Sequence, residues 1–499
     1  MFIKNKLSMV LIMITGLSTF AGVVLRLFKL NNINLVSPAE SFWIVDKDLG
    51  QYLDKGFGLI WYGVIQIWHS SFGQISIIQL RLLSAIVGIL IVVLVGILAV
   101  KVFSFRVGVY SSLIASIAIG LVISSRLATM IELISLSLLL GILACLVIIR
   151  GLGQTRFSWV YCGLLLSLSI GLHLVGLIPV LISAILLGYQ IFTVKKYQDR
   201  ARYLGLSLLF LSILIGLLGT FLLTKFDWQS LGSKTVFSES NPILAWLGNI
   251  IEVFSNLFVN GLDQTGYYFG QLSVVELNLG VLAIVGLVGL YQNKQIFRLY
   301  LIVIASFWIL ASLLNIESSF GWLIVILVSL IPLAGYGLNL ILLIIGNEFE
   351  SRIIKLTFYG LVASTFVVWF GLSYQQVFLA WPESQATYQI YREDLNQIAN
   401  QWIDLRPDNP IIIDNYSNPD LLDAKMTLAG DQGFEYQIRG SNIDELKGLK
   451  AKQIYITYQD GSNDLLIDQI KFEYKDQVGV EMINSDMTNI SLYYLVSIK

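Results

Sequence analysis

The chain has 499 residues, 56% of them hydrophobic and 13% charged, with a formal net charge of −1 and a mean hydropathy of +0.75. A soluble domain carries about 45–50% apolar and about 25% charged residues. A cytosolic enzyme, a disordered chain and a nucleic-acid-binding protein are therefore excluded. The charge is also unevenly spread: residues 1–378 hold 22 Lys/Arg and 14 Asp/Glu, net +8, whereas 379–499 hold 10 and 19, net −9. The pattern is that of a many-span membrane unit over 1–378 followed by a soluble, acidic tail over 379–499.

Roughly 20 apolar residues are needed for one helical crossing. In chain order the candidates are 7–26, 79–100, 107–124, 131–149, 157–172, 174–192, 203–223, 276–291, 299–314, 320–346 and 356–378, about eleven spans. Lys4 and Lys6 precede the first, which reads as an uncleaved span rather than a cleaved leader. The short segments 1–6, 101–106, 150–156, 193–202, 292–298 and 346–355 carry 14 of the 22 basic residues. The positive-inside rule puts them in the cytoplasm together with the N-terminus, and an odd number of spans then leaves the tail outside.

Two outer loops are long, about 27–78 and about 224–275. In the first, the stretch from Phe57 to Phe72 is too short and too mixed to span, and Trp61, Tyr62, Trp68 and His69 suit a helix at headgroup level. The second holds Lys225, Asp227, Trp228, Asp263, Tyr267 and Tyr268. His69 and His173 are the only histidines, and the two cysteines, Cys145 and Cys162, lie in apolar runs. A disulfide framework, a thiolate metal site and a histidine-rich metal or haem site are excluded by count. There is no glycine-rich nucleotide loop.

The order of several outer-loop and span-end motifs carries a resemblance. The chain reads Leu25-Arg-Leu-Phe-Lys-Leu30, then Pro38-Ala-Glu-Ser-Phe-Trp43, the aromatic segment from Tyr62 to Trp68, Phe72-Gly73, and Leu80-Arg-Leu-Leu-Ser84. Phe103-Ser-Phe-Arg-Val-Gly108 and the outer turn from Ser124 to Ile131 follow. This resembles the first third of GT-C-type, polyprenyl-phosphate-sugar-dependent membrane glycosyltransferases, the group that includes protein O-mannosyltransferases and aminoarabinose transferases. The resemblance implies a polytopic α-helical membrane fold of about eleven spans, with a large first outer loop and a small soluble C-terminal α/β domain outside. It also implies sugar transfer from a polyprenyl-phosphate donor to an extracytoplasmic glycan, lipid or protein, with inversion at the anomeric carbon. An acidic residue of the first outer loop would act as general base, and outer-face cations would hold the leaving phosphate. No cofactor and no nucleic-acid partner are implied, and a divalent metal is not indicated.

The family's acidic pair falls on Ala39-Glu40, so its aspartate is missing and only the glutamate remains. The second motif falls on Leu127-Ala-Thr-Met-Ile131 and lacks its acid, its basic group and its ring, with Arg126 just before it. A catalytically silent relative, acting as a membrane partner or glycan-lipid-binding subunit, is thus the competing reading. The candidate catalytic carboxylates are Glu40 and the nearby Asp46 and Asp48. Candidates for the donor phosphate are Arg81, which opens the second span, Arg126 in its short turn, and Lys225. His173, Trp43 and Asp263 are candidates for the sugar or acceptor pocket. Glu132 lies inside an apolar span and needs a partner there, which the sequence does not name.

In the tail, 385–405 has a helical charge pattern. Apolar or alternating runs at 409–414, 452–458, 467–474 and 490–498 read as strands and 418–428 as a helix, a small α/β domain.

Overall fold

The computed structural model describes residues 20–28, 30, 40, 59–72, 76–129, 131–149, 156–193, 242–259, 273–313 and 316–381, and in the tail 392–405, 407, 410–413, 422–423, 425–426, 437–439, 453–457, 467, 470–471, 478–484 and 491–498. The expectations for Trp43, Asp46, Asp48, Lys225 and Asp263 and for a span at 203–223 fall outside these residues.

The first helix is described over 20–27 (α1). Leu59–Phe72 (α2) follows in the first loop, then Ile77–Val102 (α3), Phe105–Ile117 (α4) and Ile119–Ser124 (α5). Glu132–Ile149 (α6), Arg156–Leu172 (α7) and Leu177–Thr193 (α8) complete the first part. Beyond it come Pro242–Phe258 (α9), Leu277–Leu290 (α10), Lys294–Leu313 (α11), Ile316–Glu348 (α12) and Arg352–Gln375 (α13). Among the described residues three helical stretches, Ile77–Val102, Gly321–Glu348 and Arg352–Ala380, are long and apolar enough to cross a membrane by themselves, and several shorter apolar helices accompany them.

The start of α3 is set locally. Ser76 accepts from the Gln79 amide at 3.2 Å while the Gln79 side chain accepts from the Ser76 amide at 2.9 Å. This reciprocal cap fixes the first turn and places Arg81 in the second. Small residues then let helices touch: a Cβ on Gly286 of α10 would meet the Leu333 carbonyl of α12, and one on Gly337 would meet the Leu282 carbonyl. Such close crossings suit a bundle in lipid, where packing rather than water exclusion drives association.

One element of the bundle differs from the expectation: the run 107–124 reads as one span, yet the chain breaks at Ala118 (φ −58°, ψ 114°) between α4 and α5. The loop segment around Trp61 does form a helix, with Trp61 and Ile65 buried and Ile60 and Ile67 exposed. Ile60 of the same helix lies against Gly171 of α7. In the second long loop α9 packs on α11, with Trp246 Nε1 donating to Ser312 Oγ at 2.9 Å and the Phe254 ring stacked on Trp308.

The tail pairs Ile411–Ile413 (β1), Gln437–Arg439 (β2), Gln453–Thr457 (β3), Val478–Asn484 (β4) and Ser491–Ile498 (β5) in one sheet, order β2-β1-β3-β5-β4. β1 is parallel to both β2 and β3, and β5 is antiparallel to β3 and β4. Glu393–Leu405 (α14) covers it, its Trp402 edge-on to Tyr455 at 5.7 Å between ring centroids. The run 467–474 was expected as a strand; Ile467, Ile470 and Lys471 are helical instead, and both isoleucines are buried. Two apolar residues three apart fit one face of a helix as well as a strand run. The apolar core of the tail is continuous with that of the bundle.

Candidate functional site

The buried charged side chains among the described residues, Arg26, Glu40, Arg81, Arg126 and Glu132, gather at one end of the bundle. There α1 ends, α3, α6 and α10 begin, and α13 hands over to the tail. Lys101, Arg106 and Arg352 are exposed at the other end.

Glu40 and Arg81 form the centre. Arg81 Nε and Nη2 donate to Glu40 Oε1 and Oε2 at 2.8 and 2.9 Å, a two-pronged ion pair. The Ala128 amide adds a third donor, to Oε1, at 2.9 Å. Arg81 Nη1 is turned toward the Leu30 carbonyl at 3.4 Å. Both side chains are buried, Glu40 completely. A carboxylate can be buried charged only with such compensation, and here it comes from α3 and the turn before α6.

Arg126 is held from the same turn. Its Nη1 donates to the carbonyls of Leu25 at 2.9 Å and Phe28 at 2.8 Å, the last turn of α1, where backbone acceptors lack helical donors. Its guanidinium lies 4.6 Å from the centre of the Phe378 ring, a cation–π contact. Burial and the like charge of Arg81 hold its pKa below the ordinary arginine value.

Sequence reasoning passed over two residues here. Arg26, wholly buried, donates through Nη1 to Ser116 O and Gly22 O at 3.1 and 3.2 Å and through Nη2 to Ala115 O at 3.1 Å. Glu276 accepts from the Ile119 amide at 2.5 Å and from Trp369 Nε1 at 2.7 Å. Ser373 Oγ donates to Ile117 O at 2.8 Å. These three side chains supply the groups that the break at Ala118 leaves without helical partners. The available signal was a charge at the edge of an apolar run, which in a membrane needs a partner. The partner of Glu132, left unnamed by the sequence, is Ser84, whose Oγ donates at 3.2 Å.

His173 is buried where α7 passes into the 3-10 turn Leu174–Gly176, and its Nδ1 accepts from the Val175 amide at 3.2 Å. Among the described residues no three His, Cys, Asp or Glu side chains come together as a metal site would require.

The tail reaches this end too. On the helical residues that follow β1, burial and the charge of Arg81 hold the Lys425 ammonium below the ordinary lysine value, with Glu40 opposing them. The neighbouring Leu422 and Met426 are buried.

The helical bundle with its broken helix and terminal sheet is shared with solved membrane proteins of the GT-C fold. The solved structures agree. ArnT from Cupriavidus metallidurans, bound to undecaprenyl phosphate, is similar at 13% identity over 97% of both chains, with a TM-score of 0.51. The apo oligosaccharyltransferase from Archaeoglobus fulgidus is similar at 12% identity over 95% of this chain and 69% of that one, again with a TM-score of 0.51. No protein-family model and no curated protein sequence matches the chain. At these identities the likeness shows the fold: this is an integral membrane protein of GT-C architecture.

Proposed function

We propose that this protein is a membrane glycosyltransferase moving a sugar from a polyprenyl-phosphate carrier to a hydroxyl of an extracytoplasmic glycan, lipid or protein. The observation that carries this reading is the Arg81–Glu40 pair, a buried guanidinium held in fixed orientation at one end of a GT-C bundle. Guanidinium planes match phosphate oxygens in pairs. In this reading Arg81 meets the donor phosphate and Glu40 orients Arg81.

The acceptor oxygen attacks the anomeric carbon opposite the phosphate, which departs with the bonding electrons, and a carboxylate takes the hydroxyl proton. Glu40, Asp46 and Asp48 are the candidates. Because both oxygens of Glu40 accept from Arg81 and one also from the Ala128 amide, Asp46 or Asp48 is the better choice. Arg126, engaged with the end of α1, serves as a cap rather than a phosphate ligand. Lys225 remains a proposed phosphate contact, and Trp43, His173 and Asp263 remain proposed pocket residues. Residues 1–378 form the membrane unit, with a cytoplasmic N-terminus, and 379–499 the outer domain. The reaction as proposed calls on no cofactor.

One observation favours a second reading, a silent relative that binds glycan-lipid without turnover: Ala39 replaces the family's aspartate while Glu40 is committed to Arg81. The test is transfer of a labelled sugar from polyprenyl-phosphate donors by the purified full chain. Transfer that disappears in Asp46→Asn or Asp48→Asn, with donor affinity kept, supports the first reading and names the base. Loss of turnover in Glu40→Gln with donor affinity unchanged would return the base to Glu40. Donor binding without transfer, across all sugars and acceptors tried, would establish the silent relative.

A further inference from the structure

Along most of its length α13 stands clear of the bundle. Ile353, Leu356, Leu361 and Val367 are exposed on it, and the buried ones among its described residues are Trp369 and Ser373, near its end. There it is fastened, Trp369 to Glu276 and Ser373 to the Ile117 carbonyl. The helix then widens: Gln376–Ala380 is π-helical, and the Trp381 amide donates to the Gln376 carbonyl, five residues back, at 2.9 Å. A widened turn holds one residue more than an α-helical one and re-aims the side chains beyond it, a device frequent at functional sites. Here it brings Phe378, five residues after Ser373, into the bundle, where the ring is buried.

Phe378 closes a triangle with Arg126 and Phe28. The Arg126 guanidinium lies 4.6 Å from the centre of the Phe378 ring. Arg126 Nη1 donates to the Phe28 carbonyl at 2.8 Å, and the Phe28 ring meets Phe378 edge-on at 5.5 Å between centroids. The corners belong to the end of α1, the segment after α13 and the turn between α5 and α6. That turn is tight: the Arg126 amide donates to Ile123 O at 3.0 Å and the Leu127 amide to Ser124 O at 3.3 Å. Two residues beyond Arg126 it presents the Ala128 amide to Glu40 at 2.9 Å, and Glu40 in turn holds Arg81.

We propose that Phe378 is a positioning residue for the Arg81–Glu40 pair, acting through Arg126 and the turn that presents the Ala128 amide. This rests on the function proposed above and adds to it that the orientation of Arg81 depends on how α13 is fastened. The negative face of an aromatic ring holds a guanidinium best where water is excluded, and both partners here are buried. With the ring in place, Arg126 is braced between α1 and the segment after α13. Without it Arg126 keeps its carbonyl acceptors on α1, but the turn loses its second support and opens more often.

The experiment is amide hydrogen exchange of the full chain in nanodiscs, read at two amides: Ala128, bonded to Glu40, and Ile119, bonded to Glu276. Glu276 also holds Trp369, so Ile119 separates a general loosening of α13 from loss of the Phe378–Arg126 contact. Phe378→Leu keeps an apolar side chain and removes the ring. Its Ala128 amide should exchange about tenfold faster than in the wild type, the size of one desolvated cation–π contact, with Ile119 unchanged. Trifluorophenylalanine at position 378 keeps the shape and weakens the negative face, so Ala128 should exchange at a rate between the other two. A wild-type rate at Ala128 in Phe378→Leu overturns the proposal. So does acceleration of Ala128 and Ile119 together, or wild-type behaviour of the trifluorophenylalanine protein. Sugar transfer from a polyprenyl-phosphate donor, measured on the same proteins, separates the inference from the function on which it rests. Transfer that falls about tenfold in Phe378→Leu, in step with Ala128 exchange, supports both. Unchanged transfer with accelerated Ala128 exchange overturns the positioning role. Absence of transfer in the wild type, with Ala128 accelerated in Phe378→Leu, refutes the glycosyltransferase reading and leaves the brace on the pair standing.

Discussion

Glu40 and Arg81 illustrate how a buried charge is held in a membrane protein. Removing one partner of such a pair strands the other, which costs about 3–5 kcal/mol. Glu40→Ala is therefore expected to destabilise the protein by about that amount, read as a lowered unfolding temperature in detergent. Combining it with Arg81→Met should recover most of the loss. Lys425 gives the opposite sign with pH. Its pKa is about 8 in the folded protein against 10.5 when unfolded, so the unfolded chain holds the extra proton between those values. Its contribution to stability thus rises with pH from about 8 upward. Subtracting the unfolding profile of Lys425→Gln from that of the ligand-free wild type should leave a difference that grows in that direction. A difference that shrinks above pH 8 would contradict the assignment. At this scale the sequence was informative wherever a charge interrupts an apolar run. Glu132 was singled out that way, Arg81 as the residue opening a span and Glu40 through the resemblance, and each is buried with a named donor or acceptor. Their partners were not legible, because Glu40 and Arg81 are 41 positions apart and Arg26 reaches Ser116 across 90.

The break at Ala118 is the element on which the charged end of the bundle is organised. A chain in lipid cannot leave backbone groups unpaired. Here the accounting is done by α1, α10 and α13, through Arg26, Glu276 and Ser373. Glu276→Ala removes the acceptor from two buried donors, the Ile119 amide and Trp369 Nε1, and should cost about 2–4 kcal/mol. Trp369→Phe should cost less, and the two effects should fall short of additive in a double-mutant cycle because they share one hydrogen bond. Additive effects would mean that this bond does not form. The sequence around the break, Ser116-Ile-Ala-Ile-Gly120, contains no proline and reads as continuous helix. Tertiary partners up to 157 residues away decide the matter, beyond the reach of periodicity. The span starts at Ile77, Glu132 and Leu277 were legible to within a few residues, since each follows from where apolar character begins.

At the scale of the whole molecule, the charge pattern changes at residue 378, while the helix of α13 runs on into a π-helical segment over Gln376–Ala380. What composition could not show is that the two parts share one apolar core. The proposed orientation is open to direct labelling. Asp423→Cys, exposed on the tail, should react with an impermeant maleimide on intact cells, whereas Ser351→Cys, exposed at the opposite end, should react only after permeabilisation. The reverse pattern would invert the topology. The most direct test of the central claim is a structure of the full chain in a lipid bilayer with undecaprenyl phosphate bound. The account predicts the phosphate within about 3 Å of the Arg81 guanidinium, with Glu40 still paired to it. A phosphate bound elsewhere, with the Arg81–Glu40 pair untouched, would contradict it.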